Sequence, residues 1–477
     1  MDSNEASPPP IARTSTLPAG ARTAAPGSAA PGATEPGGRP APSGRSGITS
    51  MQKRVLAGGS VGQFIEFYDF ALYGLSAVVL STLFFPSDNQ LAGLLALFAT
   101  FGVAFLIRPL GGLFFGALGD RIGRRAVLVI TLLTIGVATT AIGLLPSYEV
   151  IGPLAPILLV LMRLLQGFSA GGESAGAPSF VFEHAPVHRR GLFINITLAA
   201  TALPSVVAAF FILVLSTSMS DESFMSWGWR IPFLIALPLA LVGLWIRAKT
   251  EESPAFREMM EEQEEKIEAE VIEKHTPVRD AFRENWLQMI QVVFVMGLTA
   301  MGFYFLSGYF VSYVSTTGGL SRDQSLLLNG AAMLAYTLLL PLTGMIGDRV
   351  GRRPMMIGGA LAIAVLALPA FWLVTSGSVG LALLGQMIFV IAICIYGGGC
   401  YTFFIEVFDT KSRFTSAAFS YNLGYAVLGG TAPFVGTALV NATDVPFSPA
   451  FYVIAIAVMT LLAMVITKVP ETRGRQA

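Results

Sequence analysis

Charge is what this sequence has least of. Asp, Glu, Lys and Arg make up 13% of its 477 residues, against 53% hydrophobic, and a soluble globular chain carries about twice that charged share. Most of the chain therefore cannot face water. The formal net charge is zero, so nothing in the totals points to a nucleic-acid partner, and the placement of the charges carries the information instead. Cysteine is nearly missing: Cys394 and Cys400 lie six residues apart in one apolar stretch, a helical offset that does not bring two thiols face to face, so a disulfide or redox role gains no support. No lysine follows a glycine anywhere, which removes the GxxxxGK phosphate loop and any sign of ATP-driven pumping. His184 and His188 have the i,i+4 spacing of metal ligands, but Pro186 lies between them at a helix exit beside Arg189. The pair reads as loop histidines, and neither a metal nor a cofactor is expected. No apolar run resembling a cleaved signal occurs before residue 54, so the first span is expected to carry the chain into the membrane.

What is present is a series of long apolar runs. About 20 apolar residues cross the hydrocarbon of a bilayer as a helix. Cutting at charge clusters and turn residues gives twelve such runs, near 55–84, 91–118, 126–146, 154–184, 191–217, 229–248, 286–315, 324–346, 354–375, 379–408, 414–440 and 449–467. Residues 1–50 are Pro, Ala, Gly, Ser and Thr with scattered arginines, too poor in apolar surface to offset the entropy of ordering, and read as a disordered tail. Residues 249–285 are dense in Glu and Lys at helical spacing and read as a cytoplasmic linker. It divides a six-helix bundle at 51–248 from a second at 286–468, with a short tail at 469–477. Lys53, Arg54, the arginines of 121–125, 189–190 and 349–353, Lys411, Arg413 and Lys468 all fall on alternate loops. Basic residues accumulate on cytoplasmic loops, which predicts that both termini are cytoplasmic.

The two halves share a word. GALGDRIGRR at 116–125 returns as GMIGDRVGRR at 344–353, after the second span of each half, and Glu183…Arg190 is echoed by Glu406…Arg413 at each fourth-span exit. Parallel repeats related by an axis along the membrane normal are one architecture of secondary transporters, with the solute site between them. The glycines let helices approach closely, the aspartate can accept from free amides at a neighbouring helix N-terminus, and the arginines can bind carboxylates. A conformational latch is therefore expected from Gly116, Asp120, Arg121, Arg124, Glu183 and Arg190 in one half and Gly344, Asp348, Arg349, Arg352, Glu406 and Arg413 in the other.

Ionisable groups within a span are expensive and point to function. Glu66, Asp69, Arg108 and Arg163 come from three spans and fall near one depth when counted from the helix ends. Gln63, Glu66, Asp69 and Tyr73 follow one helical stripe, and Arg163, Gln166 and Glu173 another. A carboxyl group in a poorly hydrated site beside an arginine has a charge that depends on access and occupancy. Asp69, Glu66 and Glu173 are accordingly the candidates for proton coupling, and Arg163, Arg108, Gln63, Tyr73 and Gln166 for solute binding. Nine of the twelve tyrosines occur from residue 304 onward, and Tyr304, Tyr396, Tyr421, Asn422 and Tyr425 are expected to orient a small polar solute.

The GxxGDRxGRR loop in both halves resembles the signature of the major facilitator superfamily. GQFIEFYDFALYG (62–74), RPLGG (108–112), RLLQGFSAGGESAGA (163–177), HRRG (188–191) and GWRIPF (228–233) resemble its metabolite:proton symporter branch. That branch includes shikimate, 2-oxoglutarate, citrate and proline/betaine carriers. The resemblance covers nearly all of residues 51–472. It implies an all-α membrane protein of twelve transmembrane helices in two pseudo-symmetric bundles, not an enzyme, located in a bacterial cytoplasmic (inner) membrane. Its partners would be a small metabolite, most plausibly a carboxylate, protons and the lipid bilayer, with no nucleic acid and a monomer sufficing. An uncoupled facilitator or exporter of the same fold, or a solute sensor without transport, are the competing readings.

Overall fold

A backbone in hydrocarbon must satisfy its own hydrogen bonds, which leaves the helix as the solution for a chain of long apolar runs. The computed structural model describes residues 50–122, 124–171, 178, 181–182, 185–249, 277–408 and 413–474. Glu173, Glu183 and linker residues 250–276 lie outside them. Within the described stretches, the side chains of Glu66, Asp120, Arg121, Arg124 and Arg413 and the surroundings of Gly116 are also outside the description. Described residues from 48 onward belong to one unit, 48–477.

Among the described residues nine helices are long and apolar enough to cross a membrane. A bent pair, Phe67–Leu75 with Ala77–Phe84, makes a tenth crossing, and the shorter apolar helices Val129–Leu144 and Leu154–Ala170 fill the third and fourth places of the predicted twelve. The first span is Ser50–Leu75 followed by Ala77–Phe84, with a 69° bend at Ser76. The second, Gln90–Leu106 and Arg108–Ile122, breaks before Arg108, where Pro109 withdraws a backbone donor. The third is Arg124–Leu144, the fourth Leu154–Ala170, the fifth Val187–Ser218 and the sixth Asp221–Trp245. In the second half the seventh span is one long helix from Pro277 to Thr316 that starts within the expected linker. The eighth to tenth are Arg322–Val350, Arg352–Val374 and Val379–Glu406. The eleventh covers Ser416–Thr443 and the twelfth Pro449–Ile466. Among the described residues three spans contain a π-helical turn, at Phe224–Gly228, Phe305–Tyr309 and Tyr425–Gly429, each holding one residue more than an α-turn.

Glycine decides how close the spans of the first half come. A Cβ on Gly167 of the fourth span would lie 1.9 Å from the carbonyl oxygen of Ala104, and one on Gly171 would lie 2.0 Å from that of Arg108. Backbone thus rests on backbone where the second and fourth spans cross, and the helices that carry Arg108 and Arg163 are drawn together. Between the halves the same device operates at Gly74 of the first span and Gly308 of the seventh, where each would place a Cβ within 3.0 Å of the other's Cα.

These contacts predict that Gly167→Ala destabilises the protein by about 1–3 kcal/mol, since the opposing atom is backbone and cannot swing aside. Thermal unfolding in detergent should show a lowered midpoint, and an unchanged midpoint would mean that the crossing is looser than described.

Candidate functional site

The first half assembles a buried polar cluster. Asp69 on the first span is 2% exposed, Arg108 on the second 1%, and Arg163 on the fourth 0%. Both arginines act electrostatically on the Asp69 carboxylate, although neither of its oxygens has a hydrogen-bond partner among the described residues. The arginines are held by ring faces more than by anions. The Arg108 guanidinium sits 4.3 Å from the Phe70 ring centre and 4.2 Å from that of Phe105, and Arg163 sits 4.0 Å from Tyr73 and 5.1 Å from Phe70. Such cation–π contacts stabilise a desolvated guanidinium while leaving its N–H edge unspent. Nε and Nη2 of both arginines lack hydrogen-bond partners among the described residues.

Arg163 Nη1 donates to Gln166 Oε1 at 2.8 Å, and Gln166 Nε2 donates to the Thr139 hydroxyl at 2.7 Å. Tyr73, buried beside them, hydrogen-bonds through its hydroxyl to Thr100. Gln63 is buried on the same helix as Asp69. The structure therefore brings together Asp69, Arg108, Arg163, Tyr73 and Gln166 from the expected set. The described side chains of this cluster supply two guanidinium groups and one carboxylate.

The second half contributes aromatic surface. Tyr304 packs edge-on against Phe105 at 4.8 Å and Phe101 at 5.6 Å, across the seam between halves, and against Tyr425 at 6.1 Å. Tyr425 stacks on Tyr421 at 4.0 Å. Asn422 is buried, with an Oδ1 that has no hydrogen-bond partner among the described residues. Tyr396 stands apart: its hydroxyl donates to the Val295 carbonyl at 2.9 Å, tying the tenth span to the seventh. Tyr309 and Tyr313 are buried and stacked on each other at 5.3 Å.

The end of the bundle that carries the repeated motifs is closed at the seam of the fifth and eighth spans. Asp348 accepts from the backbone N–H of Gly191 at 2.8 Å and of Leu192 at 3.0 Å, the first free amides of the fifth span, where the helix dipole favours negative charge. Arg352 donates to Asp348 at 2.9 Å and pairs with Glu406 at 3.2 Å. Arg190 of the other half also acts electrostatically on Glu406. Gly191 and Gly344 touch so closely that a Cβ on either would sit 2.6 Å from the other's carbonyl oxygen. Arg349 is exposed, and its carbonyl accepts from the Arg473 guanidinium. At the far end, Ser216 donates to Asp323 at 2.6 Å and Arg322 pairs with Asp221 at 3.4 Å. Both ends thus carry contacts between halves among the described residues.

Sequence reasoning missed several participants. Phe70, Phe101 and Phe105 had no signal among 34 phenylalanines. Thr139 and Thr100 were invisible because hydroxyls are common in apolar spans. Glu471 accepts from the N–H groups of Arg352 and Arg353 at 2.9 and 3.0 Å, and Thr472 donates to Glu406 at 2.7 Å. The acidic residue in the PETRG stretch just beyond the last span was the available clue.

Residues 56–477 match the family model described as "Sugar (and other) transporter". The chain is 36% identical over 425 residues to the proline/betaine transporter of Salmonella typhimurium, covering 89% of this chain and 84% of that one. It is 33% identical over 425 residues to the shikimate transporter of Escherichia coli, covering 87% and 95% respectively. A solved structure of the xylose transporter XylE from E. coli, in a partially occluded inward-open conformation, superposes with a TM-score of 0.70. That alignment covers 90% of this chain and all of the other at 20% identity, a likeness of fold alone.

Removing the charge of Asp348 should loosen the motif end without unfolding the bundle. Both native cysteines are buried, so a single cysteine placed at Asn195, beside Gly344, can report access. In that background Asp348→Asn is expected to speed maleimide labelling about fivefold, equivalent to about 1 kcal/mol of helix-terminus stabilisation. Unaltered labelling would show that Asp348 does not hold the seam.

Proposed function

Since the chain belongs to the sugar (and other) transporter family of the major facilitator superfamily, and is therefore a multi-pass membrane transporter of small molecules, we propose that it carries a small carboxylate-bearing metabolite inward together with protons. The observation that carries this reading is the buried cluster of Asp69, Arg108 and Arg163, with two guanidinium groups facing one described carboxylate.

Arg163 serves two anions in turn. With no solute bound it neutralises Asp69 electrostatically. A solute carboxylate entering at Arg163 and Arg108 finds four N–H-bearing atoms that lack partners among the described residues, in the edge geometry that matches a carboxylate. It draws Arg163 away from Asp69, whose carboxylate then takes a proton. For a solute of net charge −1, one negative charge has entered with the solute and one positive charge with the proton, so the charge buried around the arginines is the same before and after. A loaded and an unloaded site of equal charge can both cross between the two ends, whereas a half-loaded one cannot cross without a desolvation penalty. Proline, betaine and shikimate, the solutes in the names of the two relatives, differ in ring, charge and hydroxylation but share a carboxylate, which supports Arg163 as the common anchor. Tyr304 and Tyr425 lie across the seam where the remainder of such a solute would be read. One chain suffices for the mechanism. The basic loops and bacterial relatives support a bacterial cytoplasmic membrane with both termini inside.

Reconstituted vesicles test the scheme with labelled proline, glycine betaine, shikimate and xylose, each supplied with and without an inward proton gradient. Uphill accumulation of at least one carboxylate, abolished by a protonophore, is expected. Asp69→Asn should lose accumulation yet keep counterflow exchange, because a carrier fixed in its neutral form still shuttles loaded. Accumulation by Asp69→Asn would falsify the assignment. Arg163→Gln is expected to raise the half-saturation concentration about 10- to 100-fold, the loss of a charge-assisted pair of hydrogen bonds. An unchanged value would remove Arg163 as the anchor.

A further inference from the structure

Asp69 also borders a space of its own. A partly open cavity of about 10 Å³ lies between the first, third and sixth spans, walled by Tyr68, Asp69, Gly136, Thr139, Ala236 and leucines of those helices. Neither Arg108 nor Arg163 is among its described lining. That volume is what one water requires, and a water held in protein takes two to four polar partners. The wall supplies them. Both Asp69 oxygens are without a hydrogen-bond partner among the described residues. The Thr139 hydroxyl donates to the Ile135 carbonyl at 2.8 Å and accepts from Gln166 at 2.7 Å, which leaves it one lone pair. The Tyr68 hydroxyl donates to the Pro232 carbonyl at 3.2 Å and keeps its own acceptor capacity.

We propose that this cavity is a water site, and that its water is the proton-exchange partner of Asp69, so that protons reach the carboxylate through the first-half bundle and not along the solute route between the halves. The inference rests on the reading of Asp69 as the proton carrier and adds the route. In the loading step a hydronium ion in the cavity transfers one proton from its oxygen to an Asp69 oxygen; an O–H bond of hydronium breaks, an O–H bond of the carboxylic acid forms, and a neutral water stays behind. Release is the reverse, with the proton leaving on the water. Gln166 ties this site to the other. Two hydrogen bonds run from Arg163 through Gln166 to Thr139, so a carboxylate that moves Arg163 also moves a hydroxyl on the cavity wall. Gly136 and Ala240 form the seam of the third and sixth spans beside the cavity, where a Cβ on the glycine would lie 2.4 Å from the alanine Cβ.

Ala236→Val places two methyl groups in the cavity and touches no residue assigned to solute binding. Proton-driven uptake is expected to fall about tenfold, in keeping with the loss of a positioned proton-transfer partner. Counterflow exchange, which leaves the proton in place, should be unchanged. Infrared difference spectra give a second readout: the carboxyl C=O band that disappears in Asp69→Asn should exchange with D2O about tenfold more slowly in Ala236→Val than in the parent. Unchanged uptake and exchange in a folded Ala236→Val protein overturn the proposal. If that variant does not fold, the parent decides: a weakly hydrogen-bonded water O–H band must change when Asp69 is protonated, and its absence overturns the proposal equally. The two readings fail separately. Accumulation by Asp69→Asn removes the proton carrier itself, whereas loss of accumulation there beside an unaffected Ala236→Val removes only the water site.

Discussion

Two guanidinium groups buried within electrostatic reach of a single described carboxylate are the constraint around which the first half is organised. Arginine cannot shed its proton in a protein, so burial does not relieve its charge. Phe70, in contact with both guanidinium groups, and Phe105 and Tyr73, each against one, spread that charge over ring faces. Ring faces do not occupy the N–H edges. The glycines of the fourth span follow from the same need, because only a backbone-to-backbone crossing brings the second and fourth helices near enough for both arginines to share Phe70. A site built this way keeps its charge while leaving N–H edges unspent.

The two ends of the fifth and eighth spans are bridged by contacts of different kinds. At the motif end Asp348 of the eighth span caps the Gly191 and Leu192 amides of the fifth, and Arg352, itself paired with Glu406 inside the second half, holds Asp348 in place. At the far end Asp221 is 94% exposed and Arg322 25%, a geometry worth at most about 1 kcal/mol. Glu471 and Thr472 add hydrogen bonds that fix Arg352 and Glu406 within the second half.

Much of the architecture was legible beforehand, because hydrocarbon imposes a length and an apolarity that survive in any single sequence. The positions of the twelve runs and the meeting of Asp69 with Arg163 follow from counting along helices. What was not legible depends on which atoms meet across long separations. Tyr396 counted as a solute-facing hydroxyl on depth alone, and its bond to Val295 spans 101 residues. Glu471 reaches Arg352 over 119 residues, and no local pattern announces such a pair. The ring partners of the arginines were hidden for the opposite reason: phenylalanine is everywhere in these spans, so its presence distinguishes nothing. The wide turns were hidden too, since one added residue barely disturbs an apolar run.

Those wide turns have a mechanical consequence. An added residue advances the rest of a helix by about 100° around its axis. In the seventh span the turn at Phe305–Tyr309 presents Gly308 to Gly74, and in the eleventh the turn at Tyr425–Gly429 is followed by Gly430 against the Phe105 ring. Both are points where the second bundle touches the first. Tightening either turn to ordinary pitch would screw the outer length of that helix through a quarter turn and more, carrying its glycine off its mate and a bulkier residue into its place. The molecule therefore has a thread cut into its seam, and unwinding by one residue is enough to cross it.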